Sequence, residues 1–270
     1  PPRSTLFPYT TLFRSITLLN LLLKHGPSKV TIGDAPIQGA KWGGVCTDKF
    51  RNQIKLLSNH HNVPIIIRDY RKVIFDTKRN TINKDQNSLN EYKIFDLGED
   101  SYLDPVTSEN RKLFRVAYYD YRMLAEVHKK GVHKYCIIND IFTNDIIISI
   151  PKVKTHEKTG LTAALKNLVG VNGDKGYLPH HRLGGTSTGG DSYYGYNFIR
   201  SASEKCMDLA GINIGKKSFR IWQKLAIELW KNSHPKKEDR LMAGWYGNDT
   251  AWRMVIDINR IVLKDRKSVV

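Results

Sequence analysis

The side chains best suited to chemistry are concentrated between residues 151 and 181, PKVKTHEKTGLTAALKNLVGVNGDKGYLPHH. This stretch, called the basic segment below, contains five lysines and three histidines. Lysine ammonium groups attract carboxylates and phosphates, and imidazole can carry a proton near neutral pH. Because a buried ammonium must lose its water or find a partner, so basic a stretch rarely lies in a core. The composition predicts a site for a small anionic substrate.

Three residues of the basic segment are candidate catalytic groups, namely His156, Lys166 and His180. A histidine near several lysines would have a lowered pKa, because like charges disfavour its charged form. Each lysine could instead belong to a solvated surface, and Lys166 could extend its charge to solvent from a helix end. The candidate substrate-binding residues are Lys152, Lys154, Thr155, Thr159, Asn167, Lys175 and His181.

A metal is a second possibility for the histidines, with either Asp34 or Asp191 as an additional ligand. The same histidines could equally bind an anion or make ordinary hydrogen bonds, and no HExxH motif or histidine pair at helical spacing favours a metal. Adjacent side chains on an extended backbone point in opposite directions, so only one of His180 and His181 is expected to face a site. The three cysteines form no CxxC pair, so the chain has no iron–sulfur or zinc-ribbon motif.

The segments around these residues predict how they are positioned. The β-branched run DIIISI, residues 145–150, predicts a buried strand. Residues 159–170, TGLTAALKNLVG, predict a helix that Thr159 caps and Gly170 ends. The basic segment would then begin at the carboxyl end of a strand, where open α/β sheets bind ligands, and the helix N-terminus would attract an anion.

The rest of the chain alternates strand-like and helical patterns. This alternation predicts an α/β fold with a mixed or mostly parallel sheet flanked by helices. A polar, exposed hairpin tip or insertion is expected at residues 77–92 and a mobile glycine-rich loop at 184–197. The predicted strands are 29–34, 63–69, 92–98 and 133–138, and the predicted helices are 47–59, 121–130, 198–209, 218–232 and 250–263. Asp249 or Thr250 is the expected cap of the last helix, and capping is also the expected role of Asn248.

The two ends of the chain resemble translated sequencing-adapter DNA, at residues 1–15 and 265–270. We therefore expect one α/β domain over residues 16–264, incomplete at both ends. The apolar run that opens it, ITLLNLLLKHG, is too short to cross a bilayer, so no transmembrane segment is expected.

Composition narrows the possible functions. The formal charge of +17 favours anionic partners, yet the chain has neither an RNP-type aromatic motif nor an obvious helix-turn-helix, so nucleic acid is an unlikely partner. The absence of Walker A, GxGxxG and GxSxG motifs argues against common nucleotide-binding and hydrolase families. An odd cysteine count without a signal peptide favours a reducing, cytoplasmic compartment.

The order PKVKTH, TGLTAALKNLVG and LPHH resembles domain-of-unknown-function family 362. GDAPIQG near the start and GNDTAWRMVIDINRI near the end are also similar to that family. The resemblance implies a family widespread in bacteria and archaea, some of whose members carry ferredoxin-like cysteine motifs that this chain lacks. It implies no reaction that could be assigned to individual residues.

Two hypotheses of different classes follow. The first is an enzyme acting on a small anionic substrate, with lysines neutralising charge and a histidine transferring a proton. The second is a binding or carrier module, without chemistry, for an anionic glycan, a lipid head group or a cofactor.

Overall fold

Helices and short strands alternate along the chain in a computed structural model, which describes residues 7–37, 40–76, 81–83, 87–109, 113–116, 119–156, 158–233 and 247–264. The helices are α1 (Phe7–Leu23), α2 (Trp42–Val45), α3 (Asp48–His61), α4 (Tyr121–Val127), α5 (Asp140–Thr143), α6 (Ala164–Asn167), α7 (Phe198–Ile212), α8 (Ser218–Asn232) and α9 (Ala251–Lys264). The strands are β1 (Val30–Asp34), β2 (Ile65–Asp69), β3 (Ile74–Asp76), β4 (Thr81–Asn83), β5 (Tyr92–Asp96), β6 (Phe114–Arg115), β7 (His128–Lys129), β8 (Val132–Ile138), β9 (Lys154–His156), β10 (Gly160–Thr162) and β11 (His181–Arg182).

These strands form several small sheets flanked by helices, which confirms the predicted mixed α/β class. Within the described residues, β1 and β2 pair in parallel, and β5, β8 and β7 form an antiparallel sheet. The pairs β3–β4, β9–β10 and β6–β11 are also antiparallel. The parallel pair ends with two aspartates in register, Asp34 beside Asp69.

The largest buried cluster joins β8 to α9. Tyr135 through Ile138 of β8 are fully buried, because this part of the strand has protein on both faces. Helix α9 contributes Met254, Ile258 and Ile261, whose spacing of four and three residues places them on one helical face. This cluster forms the rigid support behind the basic segment, part of which, including Leu168 and Leu178, packs into it.

Two smaller clusters surround the first. Leu19 and Leu23 of α1 pack with Phe50 and Ile54 of α3 beside the parallel strands. The predicted helix 47–59 is confirmed as α3: Thr47 caps it by accepting a hydrogen bond from the amide of Phe50 at 3.3 Å. In the other cluster, α7 and α8 bury apolar residues against β3. Both helices confirm the predicted segments at 198–209 and 218–232.

The strand predicted at residues 145–150 is wrong. Its residues form no regular strand, and only Ile147 takes part in a single bridge. Ile146 is 63% exposed and Ile150 is 38% exposed, so the run is not buried as its composition suggested. A β-branched run becomes a strand only where another strand is available to pair with it.

The helix predicted at residues 159–170 is wrong in its first half. Gly160, Leu161 and Thr162 form β10, and helical structure begins only at Ala164. Gly160 has a φ of +68°, which ends any continuous helix at this point. Thr159 caps no helix, since its hydroxyl donates to the carbonyl of Leu161 at 3.1 Å. With only four residues in α6, the predicted helix N-terminal anion site does not form.

The glycine-rich stretch 184–197 is folded back on itself, contrary to the mobile loop expected. The amide of Thr186 donates to the carbonyl of Tyr193 at 3.0 Å, and that of Gly190 donates to Gly185 at 3.0 Å. Asp191 and Tyr193 are each 1% exposed. Its glycines allow close backbone approach: a Cβ on Gly190 would lie 2.1 Å from the carbonyl oxygen of Gly184.

Other predictions concern the boundaries of elements. The helix predicted at 121–130 ends at Val127, because the chain turns into β7 and Gly131, with a φ of +72°, makes the turn to β8. Strands β3 and β4 pair as a hairpin at the start of the segment predicted as a hairpin tip or insertion, whose residues 77–80 and 84–86 lie outside the described residues. Of the adapter-like ends at 1–15 and 265–270, residues 1–6 and 265–270 also lie outside them, whereas residues 7–15 belong to α1; the origin of those ends stays a prediction. Across the described residues, no helix combines the length and apolarity needed to cross a bilayer.

Candidate functional site

The hairpin of β9 and β10 determines which residues of the PKVKTH stretch share a surface. Thr155 pairs with Leu161, whereas His156 pairs with Gly160. Opposite residues in an antiparallel pair project to the same side, and successive residues alternate. His156 therefore shares one face with Lys154, and Thr155 lies on the other face with Leu161, which is 53% exposed. This separation removes Thr155 from the group around His156.

His156 has a defined ring orientation. Its Nδ1 accepts hydrogen bonds from the amides of Lys158 at 3.2 Å and Thr159 at 3.3 Å. Since Nδ1 accepts, the proton of the neutral ring is on Nε2. Burial lowers the pKa of His156 to about 4, and the charges of Lys166, Lys158 and Lys154 act in the same direction. At neutral pH His156 is thus an uncharged hydrogen-bond donor.

His180 has the opposite tautomer. Its Nδ1 lies 2.7 Å from the carbonyl oxygen of Leu178, which can only accept, so Nδ1 carries the proton and Nε2 a lone pair. Two hydrogen bonds hold the backbone of His180. Its amide donates to the carbonyl oxygen of Arg115 at 2.8 Å, and its carbonyl accepts from the side-chain amide of Asn248 at 2.9 Å. Burial holds the pKa of His180 well below its usual value, helped by Lys166 and Lys158. His180 is therefore a neutral proton acceptor.

His181 is paired with a lysine of the same segment. The ammonium of Lys158 lies 3.0 Å from Nδ1 of His181, which must accept this hydrogen bond. Burial is the main cause of a pKa well below the usual value for His181, and Lys158 lowers it further. This hydrogen bond joins the β9–β10 turn to β11, so that Lys158 holds the hairpin against His181.

Lys166 lies on α6 among these groups. Its side chain is half-buried, and within the described part of the chain it makes neither a hydrogen bond nor an ion pair. Burial lowers the pKa of Lys166 to about 8, and the positive charge of Lys154 contributes to the shift. Lys166 in turn lowers the pKa values of His156 and His180, so the three candidate catalytic residues interact electrostatically.

Lys175 is a buried neighbour of this group. Its ammonium donates to the carbonyls of Asn172 at 3.2 Å and Val169 at 3.4 Å. Burial lowers the pKa of Lys175 to about 8, whereas the carboxylate of Asp34 opposes the shift. Asp34 is the last residue of β1, and desolvation raises its pKa although part of its surface is exposed. The carboxyl end of a strand therefore does border the basic segment, but the strand is β1.

Three predicted binding residues remain, namely Asn167, Lys152 and Thr159, and the last of them contacts His156 through its backbone. Asn167 is exposed, and its amide donates to the hydroxyl of Ser149 at 2.9 Å. Lys152 is half-buried and is not among the cations that shift the pKa values of His156 and Lys166. Thr159 orients the ring of His156 through its backbone amide.

No candidate metal site is present among the described residues: they contain no cluster of three or more histidine, cysteine, aspartate or glutamate side chains suited to a metal. Asp191 has a structural role, because its carboxylate accepts from the amides of Arg182 at 2.5 Å and Asp249 at 3.0 Å and from the hydroxyl of Thr250 at 2.5 Å. These bonds attach the glycine-rich loop to the start of α9. The side chain of Asn248, rather than of Asp249 or Thr250, caps that helix by accepting from the amide of Ala251 at 2.8 Å.

Sequence reasoning did not identify a buried histidine pair below the basic segment. Nδ1 of His128 lies 3.3 Å from Nδ1 of His133, and Nε2 of His128 lies 2.9 Å from the carbonyl of Tyr177. Nε2 of His133 lies 3.3 Å from the carboxylate of Asp104. The position of His133 two residues before Tyr135 in β8, with Lys134 between them, was the available signal, because alternate residues of a strand face the same side.

Lowering the pH is expected to leave His156 uncharged down to about pH 4. The folded-state pKa lies below the ordinary value of 6.5, so between these values the unfolded chain binds more protons at this position. Any stability contributed by neutral His156 is therefore present above about pH 6.5 and lost as the pH falls toward 4. Ring nitrogen shifts in two-dimensional NMR would measure both the pKa and the tautomer.

The Lys166→Met variant provides a test of the cause: Lys166 is the cation with the largest effect on the pKa of His156, so its removal should raise that pKa. The Lys231→Met variant is the control, because Lys231 lies on α8 with a side chain that is 67% exposed. An ordinary pKa for His156 in the unmodified protein would contradict the packing described above.

Comparison with known proteins gives one family. Residues 99–267 match the family described as "Domain of unknown function (DUF362)". Neither curated proteins nor solved structures include a significant match to the chain. The matched region contains the whole basic segment and α9, and β1 and β2 precede it. Because the match spans more than half of the chain, the protein belongs to the DUF362 family.

Proposed function

We propose that the face formed by His156, Lys166 and His180 binds a small anionic substrate and that His180 transfers a proton to or from it. One observation carries this proposal: among the described residues, the charges that shift the pKa values of His156 and Lys166 are all lysines, with no carboxylate among them. Placing like charges together costs free energy, and a bound anion would recover it.

The two histidine tautomers support a catalytic version of this function. His156 offers an N–H to an anionic oxygen, whereas His180 offers a lone pair to a proton. Because their pKa values are lowered, both rings stay neutral at physiological pH, and a neutral imidazole is the form that acts as a base. Lys166 and Lys154 supply the positive charge that a carboxylate or phosphate requires.

Binding is tested by isothermal titration calorimetry with inorganic phosphate and with oxalate. We expect Lys166→Met to weaken binding about ten- to a hundredfold, because a hydrogen bond to a charged group contributes roughly 1.5–3 kcal/mol. The Lys231→Met variant should bind as the unmodified protein does. Affinity should also fall above about pH 8, where Lys166 loses its charge. If neither anion binds the unmodified protein, the proposal fails.

Proton transfer is tested separately by the exchange of C–H hydrogens of small oxo acids in D₂O, followed by NMR. We expect His180→Gln to lose exchange while it still binds phosphate. If the unmodified protein binds phosphate but exchanges no proton of pyruvate, oxaloacetate or acetoacetate, the catalytic half of the proposal is wrong and the site is a binding module.

A further inference from the structure

We propose that the amine of Lys166 forms a covalent imine with the aldehyde or ketone carbonyl of a small anionic substrate. This inference rests on the proposed function, because it assigns a substrate class and a chemical step to the same site. The observations that carry it are a half-buried amine with no described partner and the electrostatic influence of Lys166 on both His156 and His180.

Lys166 differs from the other lysines of the basic segment in being both sheltered and unengaged. Lys158 donates to His181, and Lys175 donates to two backbone carbonyls, so neither amine has a lone pair directed at a ligand. Lys154 is exposed to solvent. Lys152 is half-buried but makes an interaction of its own. Only Lys166 combines partial burial with an amine that no described residue uses.

The surroundings of Lys166 favour the form that reacts with carbonyls. An amine attacks only when unprotonated, and both desolvation and a neighbouring cation increase that fraction. With a pKa of about 8, on the order of a tenth of the Lys166 side chains are neutral at pH 7. An ordinary lysine, with a pKa near 10.4, has a neutral fraction below about one in a thousand.

The reaction can be written with all atoms and protons accounted for. The nitrogen lone pair attacks the carbonyl carbon, a C–N bond forms, and the carbonyl π electrons move to oxygen. His180 accepts one proton from nitrogen and returns it to the alkoxide oxygen, which gives a neutral carbinolamine. A second proton, from solvent, is added to the hydroxyl group, which leaves as water while the nitrogen lone pair forms the C=N bond of a protonated imine. No oxidant or reductant is needed. The resulting iminium acidifies an adjacent C–H bond, whose proton His180 can then accept.

The substrate class follows from this arrangement. An imine-forming substrate needs an aldehyde or ketone, and the cationic surroundings require a carboxylate or phosphate nearby in the same molecule. Short oxo acids and phosphorylated aldehydes satisfy both conditions. Pyruvate is the simplest probe of this chemistry.

The experiment is reductive trapping of the complete chain with pyruvate and cyanoborohydride, followed by peptide mass mapping. We expect one reduced pyruvate adduct at Lys166, formed at least about tenfold faster than at Lys231, and slowed at Lys166 alone by added phosphate. The Lys166→Arg variant keeps the positive charge but removes the nucleophilic amine, so it should form no adduct at this position.

The outcomes separate this inference from the proposed function. Phosphate binding without a preferential adduct at Lys166 would overturn the imine and leave the anion site intact. If the unmodified protein does not bind phosphate, both the imine and the proposed anion site are wrong. If Lys166→Arg fails to fold, the adduct map and the phosphate competition in the unmodified protein still decide the question.

Discussion

Replacing Asp257 by alanine is expected to lower the free energy of unfolding by about 3–5 kcal/mol, the range typical for removing one member of a buried charged network. Asp257 is fully buried on α9. Its carboxylate accepts from the hydroxyls of Ser101 at 2.5 Å and Tyr135 at 2.9 Å and from the amide of Tyr102 at 2.9 Å. Alanine would leave these three donors without their acceptor and open a cavity.

Chemical denaturation followed by circular dichroism measures this effect. Glu228→Ala is the matched control: it removes a carboxylate from α8 whose side chain is 61% exposed, and a change below about 0.5 kcal/mol is expected. Tyr135→Phe removes one of the donors and should cost about 1–1.5 kcal/mol. A loss of less than about 1 kcal/mol for Asp257→Ala would show that the carboxylate does not organise this part of the core.

Gly173→Ala is expected to destabilise the protein by roughly 1–3 kcal/mol, because inserting atoms into a well-packed region forces neighbours to move. A Cβ at this position would lie 2.1 Å from the ring of Tyr92 and 2.6 Å from the carbonyl oxygen of Tyr70. The backbone cannot move away freely, since the Gly173 amide donates to the carbonyl oxygen of Cys136 at 2.9 Å and the Gly173 carbonyl accepts from the backbone amide of Lys72 at 3.0 Å.

The control for this substitution is Gly44→Ala. Gly44 lies in α2, and apart from its own helix no atom of the described residues is within 4 Å of its Cβ position, so alanine there should be neutral or slightly stabilising. Gly173 is two residues before Lys175, so its displacement should also weaken phosphate binding. Thermal denaturation and calorimetry would measure the two effects, and wild-type values for Gly173→Ala would contradict the close packing of Tyr92.

Local sequence pattern was sufficient for the elements that carry their own signal. Helix α8 combines apolar residues at helical spacing with strong helix formers, and its predicted bounds agree with the structure. The run at 145–150 has an equally clear strand pattern, yet the strand predicted from it is wrong. Whether such a run pairs depends on a partner strand from elsewhere in the chain, and no local pattern reports that partner.

Asp257 illustrates a signal that was present but not used. Met254, Ile258 and Ile261 form the apolar face of α9, and an aspartate on that face must be buried with partners. Its partners, Ser101 and Tyr135, are more than a hundred residues away in sequence. The helix pattern could identify the buried charge, but only the fold identifies what satisfies it.

The amino-acid sequence by itself determined the family, the mixed α/β class and the position of the basic segment, because each depends on residues adjacent or regularly spaced in the chain. Tertiary structure decided which of those residues share a face and which nitrogen of each histidine carries its proton. His180 owes its orientation to Leu178, Arg115 and Asn248 together. Proton position and pKa depend on neighbours brought together only by folding, and the chemistry proposed for Lys166 and His180 depends on both.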